Sequence, residues 1–463
     1  MQNSYRQGYF AKRALLPEGW AHNVRFTIQN GLIYDISPDS KEQYQDVLLS
    51  GPVLPTLANL HSHAFQRVMA GVAEVSLNPS DSFWSWRDLM YKVVQKLTPN
   101  DVQVIATQLY IDMLKAGYSQ VGEFHYLHHG VGGNAYQQPA EMAMQLLQAA
   151  DQSGIGITLL PVLYSHSGFG GQIPNVGQVR FIHSCDSYLA LHHACEKAIS
   201  GDRSNDVRHK LGICFHSLRA VTKEQIETVL ASLNKSMPIH IHIAEQQKEV
   251  QDCLNWSGLR PVQWLHNEIG LDERWCLVHA THLDNSELNA IASSNSVAGL
   301  CPTTEANLGD GIFPAVAYEN AKGRWGIGSD SHVSLSIIEE LRSLEYSQRL
   351  RDQQRNRLHC AAQNHIGDHL FQQALLGGNQ ACDVSLGLAV GNRADFMVLD
   401  SKHPFIDASE SKDLLNRWIF ACNENLIKDV FVAGQQVICD FQHEHEETSQ
   451  KAFTQVIKKI MYK

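Results

Sequence analysis

The stretch Met237-Pro238-Ile239-His240-Ile241-His242-Ile243-Ala244-Glu245 joins a short apolar strand to three chemically active side chains. Side chains of an extended chain alternate between two faces, so His240 and His242 share a face. Glu245 follows three residues after His242, beyond the strand that we predict over residues 237–241. An apolar strand that ends in polar side chains is typical of a parallel sheet that carries a functional site at its carboxyl edge.

Seven further apolar segments resemble this strand, and longer stretches of helical period separate them. The predicted strands are 53–57, 119–124, 156–163, 211–215, 237–241, 275–278, 296–300 and 324–327. The predicted helices include 99–116, 141–152, 223–233, 286–293 and, after the eighth strand, 335–350. Strands that alternate with helices predict parallel pairing with crossover helices, and eight such units over about 300 residues match a (β/α)8 TIM barrel of the α/β class.

Both ends of the chain have strand-like patterns of a different kind. Residues 9–16, 24–29 and 32–36 alternate in polarity around an Asn30-Gly31 turn, and residues 394–399 and 430–439 are strand-like, with Gly434 at a turn. We therefore predict a small composite β-sandwich domain from residues 1–55 and 385–463. The TIM barrel is predicted to span residues 56–384.

Composition indicates which partners the protein binds and in which compartment it is found. The net charge is −11 with no basic run, which argues against nucleic acid and anionic membranes as partners. Ten cysteines without a C-x-x-C pair indicate free thiols in a reducing compartment. The N-terminal stretch lacks a signal-peptide pattern and no run of about 18 apolar residues occurs, so we expect a soluble cytoplasmic protein.

A histidine pair follows the first predicted strand. The spacing of His61 and His63 directs both imidazoles to one side, where a single ion can bind both. The pair alone is weak evidence, because 24 histidines in 463 residues give about one such pair by chance. Its position after a strand strengthens the metal interpretation, because the carboxyl ends of barrel strands carry the chemistry.

Two further ligands are predicted from the fifth and eighth strands. His242 is preferred over His240 because it lies nearer the strand end, while His240 is expected to be a packed residue one layer deeper. Asp330 follows the eighth strand and would supply a carboxylate as the fourth ligand. Taken alone, a Ser-Asp pair after a strand is more often a helix N-cap. The predicted site is one divalent metal ion, zinc in preference to iron or manganese.

The ordered set of His61, His63, His242 and Asp330 resembles the metal ligands of the amidohydrolase superfamily, which pairs such a barrel with a composite β-sandwich. The resemblance covers nearly the whole chain, including the segment Gly391-Asn392-Arg393-Ala394-Asp395-Phe396. It implies catalytic roles for Glu245, His279 and Asp330. Two-metal members carry a bridging lysine on the fourth strand; residues 211–215 contain none, which favours one metal ion.

The resemblance also implies a substrate class. A metal-activated water would attack a trigonal carbon, with Glu245 as the proton carrier to the leaving nitrogen, Asp330 as the acceptor of the water proton, and His279 stabilising charge. The segments around Arg87, Tyr126 and Arg219 are similar to those of members that hydrolyse a linear amidine on a dicarboxylate. By that resemblance Arg87 holds one carboxylate, Arg219 and Tyr126 hold the other, and Gln66 and His216 line the amidine end.

Other interpretations stay open for each residue and for the chain. Alone, Arg87 fits a surface ion pair, Tyr126 a buried aromatic residue, Arg219 the first turn of a helix and His279 a core histidine. A different aminohydrolase, acting on guanine, a related purine or a chlorinated triazine, is the main alternative; two arginines in the pocket weigh against it. A barrel that serves only as a scaffold is the other, and the complete ligand set weighs against that. A homodimer is the expected assembly, since dimers are the commonest symmetric form.

Overall fold

The computed structural model describes residues 6–75, 83–201, 203 and 206–462, without the side chains of residues 83–85. The strands are β1 (Gln7–Leu16), β2 (Gly19–Gln29), β3 (Leu32–Ser37), β4 (Val47–Leu49), β5 (Val53–Pro55), β6 (Leu57–Ser62), β7 (Tyr118–His125), β8 (Gly156–Leu163), β9 (His209–Leu211), β10 (Ile213–Ser217), β11 (Ile239–Ile243), β12 (Trp275–His279), β13 (Val297–Leu300), β14 (Arg324–Ile327), β15 (Phe396–Leu399), β16 (Ile427–Val432) and β17 (Gln435–Ile438). The α-helices are α1 (Phe83–Val94), α2 (Pro99–Lys115), α3 (Glu141–Ser153), α4 (Cys185–Ser200), α5 (Lys223–Ser232), α6 (Gln247–Ser257), α7 (Pro261–Glu268), α8 (Asn285–Ser293), α9 (Pro302–Leu308), α10 (Ala315–Asn320), α11 (Ile337–Asp352), α12 (Ile366–Cys382), α13 (Pro404–Asp407), α14 (Ser411–Ala421) and α15 (Glu446–Met461).

Eight parallel strands form the barrel, in the order β6-β7-β8-β10-β11-β12-β13-β14. A parallel bridge between Ser62 and Asp330 joins the end of β6 to the segment after β14, so the circle is nearly closed. The strands are buried along almost their whole length, as parallel strands covered by helices must be. The predicted (β/α)8 barrel is confirmed.

The first barrel strand differs from the prediction. Residues 53–57 were expected to form it, but β5 (Val53–Pro55) pairs with β1 and β15 in the other sheet, and the barrel begins with β6 (Leu57–Ser62). Both segments begin with apolar residues and are fully buried, so the local pattern does not mark the boundary between them. As a result His61 lies within the strand, and His63 directly follows it.

The two ends of the chain form one eight-stranded sheet, in the order β17-β16-β15-β5-β1-β2-β3 with β4 beside β1. The rings of Phe26 on β2 and Phe396 on β15 lie 5.2 Å apart, although β5 and β1 separate their strands. Three strand spacings in a flat sheet would separate them by about 14 Å. The sheet therefore curls over its own aromatic core, which makes it sandwich-like.

A buried ion pair fastens this sheet to the barrel. Both guanidinium edges of Arg393 are used: Nη2 donates to Asp395 Oδ2 at 2.6 Å, and Nη1 donates to Gln120 Oε1 on β7 at 2.8 Å. Arg393 is 5% exposed and Asp395 is fully buried. Nη2 also donates to the carbonyl of Ser119. The contact lies at the amino end of the barrel strands, opposite the predicted site.

The last helix leaves the sheet and packs on the barrel. In α15, Lys459 pairs with Asp101 of α2 at 2.7 Å, and Glu446 pairs with Lys115. His443 is buried, and its Nε2 donates to the carbonyl of Ser153 at 3.0 Å. The division into residues 1–55 with 385–463 and 56–384 therefore stays a proposal.

The described residues include no helix long and apolar enough to cross a membrane. All ten cysteines are free thiols, and seven of them are buried. Only Cys360 and Cys439 are exposed.

Candidate active site

Three imidazoles and one carboxylate converge at the carboxyl end of the barrel. His61 Nε2 lies 3.0 Å from His242 Nε2 and 3.4 Å from Asp330 Oδ1, and His63 Nε2 lies 3.3 Å from the same oxygen. A tetrahedral metal site with bonds of about 2.0–2.1 Å has ligand–ligand edges of about 3.3 Å. The three separations are close to such edges, and three nitrogens with one oxygen are a ligand set that zinc accepts.

Burial keeps the imidazoles neutral, which is the form that binds a metal. It lowers the pKa of His61 to about 3 and holds the pKa values of His63 and His242 below the ordinary range. The carbonyl of Phe124 accepts from His63 Nδ1 at 2.9 Å, so this nitrogen carries the proton and Nε2 presents its lone pair. Burial alone would raise the pKa of Asp330, but the hydrogen bond from His61 holds it below the ordinary value.

The backbone fixes these ligands in strained conformations. The amide of Asp330 donates to the carbonyl of His61, and the amide of His63 donates to the carbonyl of Asp330, which locks the two chain segments together. Asp330 has a φ of 46° and His279 a φ of 67°, in the left-handed region that non-glycine residues rarely adopt. Strain of this kind is commonly found at functional sites, because the surrounding structure must hold it in place.

The predicted catalytic groups lie beside this cluster. His279 Nε2 is 3.7 Å from Glu245 Oε1 and 3.8 Å from Asp330 Oδ2. Burial raises the pKa of Glu245 to about 7, which is suited to a group that both accepts and delivers a proton near neutral pH. Burial alone would lower the pKa of His279, but the charges of Glu245 and Glu305 outweigh burial and raise it to about 10.

Two buried carboxylates next to these groups were missed from the sequence. Glu305 Oε1 lies 3.4 Å from His279 Nδ1 and accepts from the amide of Cys301. Burial and the charge of Glu245 raise the pKa of Asp310 to about 9. Glu305 follows β13 by five residues, so a search after every strand would have found it; Asp310 lies beyond α9, where no strand marks it.

A small pocket of about 50 Å³ opens beside the cluster. The five residues predicted to bind substrate all line it: Gln66, Arg87, Tyr126, His216 and Arg219. Gln66 Nε2 donates to the hydroxyl of Tyr126 at 2.9 Å, and the guanidinium of Arg87 lies 5.5 Å from the ring centroid of Tyr91. The pocket thus places two guanidinium groups near the three imidazoles, as an anionic substrate would require.

His240 and Lys210 both make their contacts outside the pocket. His240 Nε2 bonds to the carbonyl of Ala381 at 2.7 Å, so His240 is a core residue one layer below His242. Lys210 lies on β9, ahead of the fourth barrel strand β10, and pairs with Asp383 at 3.4 Å. The fourth barrel strand, β10, contains no lysine.

Comparisons with known proteins agree with this fold and site. A model of the amidohydrolase family matches residues 53–437, and the chain belongs to this family of hydrolases that act on C–N bonds. A model of the N-terminal domain of formimidoylglutamate deiminase HutF matches residues 8–48. The chain is 56% identical over 454 residues to a formimidoylglutamate deiminase of Pseudomonas aeruginosa, covering 98% of this chain and 99% of that protein.

Two more distant similarities complete the comparison. The crystal structure of an amidohydrolase from Brucella melitensis superposes with a TM-score of 0.93 at 44% identity, and covers 98% of this chain and 100% of that one. A 5-methylthioadenosine/S-adenosylhomocysteine deaminase of Natronomonas pharaonis is 25% identical and covers 84% of this chain and 81% of that protein.

Proposed function

We propose that the protein hydrolyses N-formimino-L-glutamate to N-formyl-L-glutamate and ammonia, a step of histidine degradation. The observation that carries the proposal is the pocket, which brings the guanidinium groups of Arg87 and Arg219 beside the three imidazoles. A substrate with two carboxylates and one amidine matches these charges. The 56% identity to the deiminase of P. aeruginosa supports the same substrate.

The arginines and Tyr126 hold the dicarboxylate part. Arg87 binds one carboxylate, and Arg219 binds the other together with the hydroxyl of Tyr126. The Nε of Arg219 is buried and has no hydrogen-bond partner among the described side and main chains, so it can donate to a ligand. A guanidinium donates two parallel hydrogen bonds to a carboxylate, which fixes both position and orientation.

Gln66 and His216 line the formimino end. Gln66 Oε1 is buried without a partner in the described part of the chain and can accept from an amidine N–H. Burial and the nearby charge of Arg219 keep the pKa of His216 well below its ordinary value, so its ring is neutral. A neutral ring avoids repulsion with a cationic amidine.

One divalent ion, zinc, is held by His61, His63, His242 and Asp330. When bound, the ion supplies activation of water and polarisation of the amidine carbon. Asp330 accepts the proton that water loses as its oxygen bonds to that carbon. Glu245 delivers a proton to the departing nitrogen as the C–N bond breaks, so ammonia leaves. His279, held by Glu305, stabilises the charge on the collapsing centre.

Ammonia release tests the assignment. The purified protein would be assayed on N-formimino-L-glutamate and on guanine, cytosine and adenosine, with the metal content measured on the same sample. Ammonia from formiminoglutamate alone supports the proposal. Release from a ring substrate would support the aminohydrolase alternative, and no release from a metal-loaded sample would leave the scaffold interpretation.

We also propose that the enzyme is a cytoplasmic homodimer with a small-molecule substrate. The ten free thiols support a reducing compartment. Light scattering of the purified protein measures its mass, and a monomer of 51.8 kDa would rule out the dimer.

A further inference from the structure

The loop between β8 and α4 carries a tyrosine and a glutamine that the mechanism above does not use. Tyr164 directly follows β8, lines the pocket and is 7% exposed. Gln178 is 2% exposed, and its Nε2 donates to the hydroxyl of Tyr164 at 2.6 Å. Both side chains are polar and largely buried, so each of their polar atoms needs a hydrogen-bond partner from the protein or from a ligand.

The direction of this hydrogen bond follows from the backbone. The amide of Asn175 donates to Gln178 Oε1 at 2.9 Å, and a backbone N–H can only donate. Gln178 Oε1 is therefore the acceptor, and Nε2 must face Tyr164. The tyrosine oxygen accepts this bond, which leaves its own proton free to donate elsewhere. Among the residues that the structure describes, no acceptor for that proton is present.

The surroundings of Tyr164 indicate what would accept the proton. Its ring lies 4.4 Å from the ring of His216, and the charges of Arg219 and Arg87 act on its hydroxyl. A pocket that contains two guanidinium groups attracts anions. We propose that Tyr164, oriented by Gln178, is a substrate-binding residue whose hydroxyl donates a hydrogen bond to a carboxylate of the substrate. The inference rests on the proposed function and extends it.

Tyr188 shows what a structural tyrosine looks like next to the same strand. Its hydroxyl donates to the carbonyl of Pro161 on β8 at 3.1 Å and accepts from the amide of Cys214. Both hydrogen-bonding capacities of Tyr188 are used within the protein, whereas only one capacity of Tyr164 is used. Tyr188→Phe is therefore a matched control for Tyr164→Phe.

The test compares steady-state kinetics of the metal-loaded wild type, Tyr164→Phe and Tyr188→Phe on N-formimino-L-glutamate. A hydrogen bond to a charged group contributes substantially to the free energy of substrate binding. Its loss should therefore raise the KM of Tyr164→Phe roughly 10- to 100-fold. We expect kcat to change by less than about 3-fold, because the lost contact is equal in ground and transition states. Tyr188→Phe should lower Tm and leave KM unchanged.

Two carboxamide analogues identify the accepting group. In N-formimino-L-glutamine the side-chain carboxylate is an amide, and in N-formimino-L-isoglutamine the α-carboxylate is an amide. With one of the two, Tyr164→Phe should lose most of its effect on KM, because the charged acceptor is already gone. An equal penalty on formiminoglutamate and both analogues, or no penalty at all, would overturn the inference. Wild-type protein that does not turn over formiminoglutamate would overturn the proposed function and this inference together.

Gln178→Glu tests the orientation. The new carboxylate retains the acceptor for Asn175 but replaces the amide donor with a second acceptor, which would draw the proton of Tyr164 away from the pocket. The KM should rise as in Tyr164→Phe, by about 10-fold or more, while circular dichroism and Tm report a folded protein. A folded Gln178→Glu variant with the wild-type KM would show that Gln178 does not position Tyr164.

Discussion

At the carboxyl ends of the barrel strands, Ala244, His279, Ala280 and Asp330 all adopt positive φ without being glycine. At the amino ends, glycine allows helix and strand backbones to approach closely without strain. A Cβ on Gly377 of α12 would lie 1.9 Å from the carbonyl of Trp325. Positive φ also occurs at Asn295 and Lys322, but these residues lie in the helix-to-strand turns before β13 and β14, whereas the residues at the carboxyl ends lie within or beside the cluster of imidazoles and carboxylates. The difference indicates that the carboxyl end is arranged for chemistry and the amino end for stability.

Histidines of a single strand illustrate the same contrast. His242 faces other imidazoles at the carboxyl end, while Nε2 of His240, two residues earlier, donates to the main-chain carbonyl of Ala381. If the contrast is correct, changes at the carboxyl end should alter kinetics and metal content, and changes at the amino end should alter the free energy of unfolding.

The largest effect is expected from His242→Asn. A bound metal contributes several kcal/mol of transition-state stabilisation, so loss of one ligand should lower kcat/KM by about 10³-fold or more, with loss of metal measured by elemental analysis. The control is His240→Asn, which should keep its metal and lower only Tm. If both variants lose metal equally, the two ends do not differ as described.

Arg393→Met should give the largest change in stability at the amino end. The substitution leaves Asp395 buried without its cation, and breaking a buried pair in this way costs about 3–5 kcal/mol. Urea denaturation would measure the loss, and kcat/KM of the remaining folded protein should stay near the wild-type value. If activity falls by more than the loss of folded protein explains, the two ends of the barrel are functionally coupled.

Glu245→Gln should retain the metal and lose turnover by about 10²-fold or more, because the amide cannot carry a proton to the leaving nitrogen. Stability should change little or rise, since a buried carboxylate becomes neutral. The measurements are kcat with ammonia detection, metal content and Tm. Full activity in this variant would require another proton carrier near the pocket, and Asp310 would be the first to examine.

Arg219→Met should give the smallest of these effects, a rise in the KM for formiminoglutamate of roughly 10- to 100-fold with metal content intact. The matched control is Arg208→Met, whose guanidinium pairs with Asp206 at 2.6 Å at the start of β9. That variant should keep the wild-type KM. If both variants have the same KM, the assignment of a carboxylate contact to Arg219 is wrong.

The barrel could be predicted from the sequence because its strands are short apolar segments between long helical periods. Two of the eight predicted strands, 156–163 and 324–327, match β8 and β14 residue for residue. The cluster of His61, His63, His242 and Asp330 was predicted for the same reason, since polar side chains at or just after the ends of buried strands are easily recognised.

Other features depend on tertiary contacts that no local pattern encodes. The chain passes from β5 of the sheet to β6 of the barrel across a single residue, Thr56, and both strands are fully buried. Tyr164 and Gln178 are 14 residues apart in an irregular loop, and only the fold brings them together. Asp310 acquires its raised pKa from burial beside Glu245, which its own segment does not reveal.

The sheet built from both ends of the chain has a consequence for synthesis on the ribosome. β5 emerges within the first 55 residues, but its partner β15 is completed only at residue 399. Until then one edge of a hydrophobic sheet has unpaired amides and carbonyls, which is a site for aggregation of nascent chains. Chaperone demand during translation should therefore fall sharply once the last 70 or so residues appear.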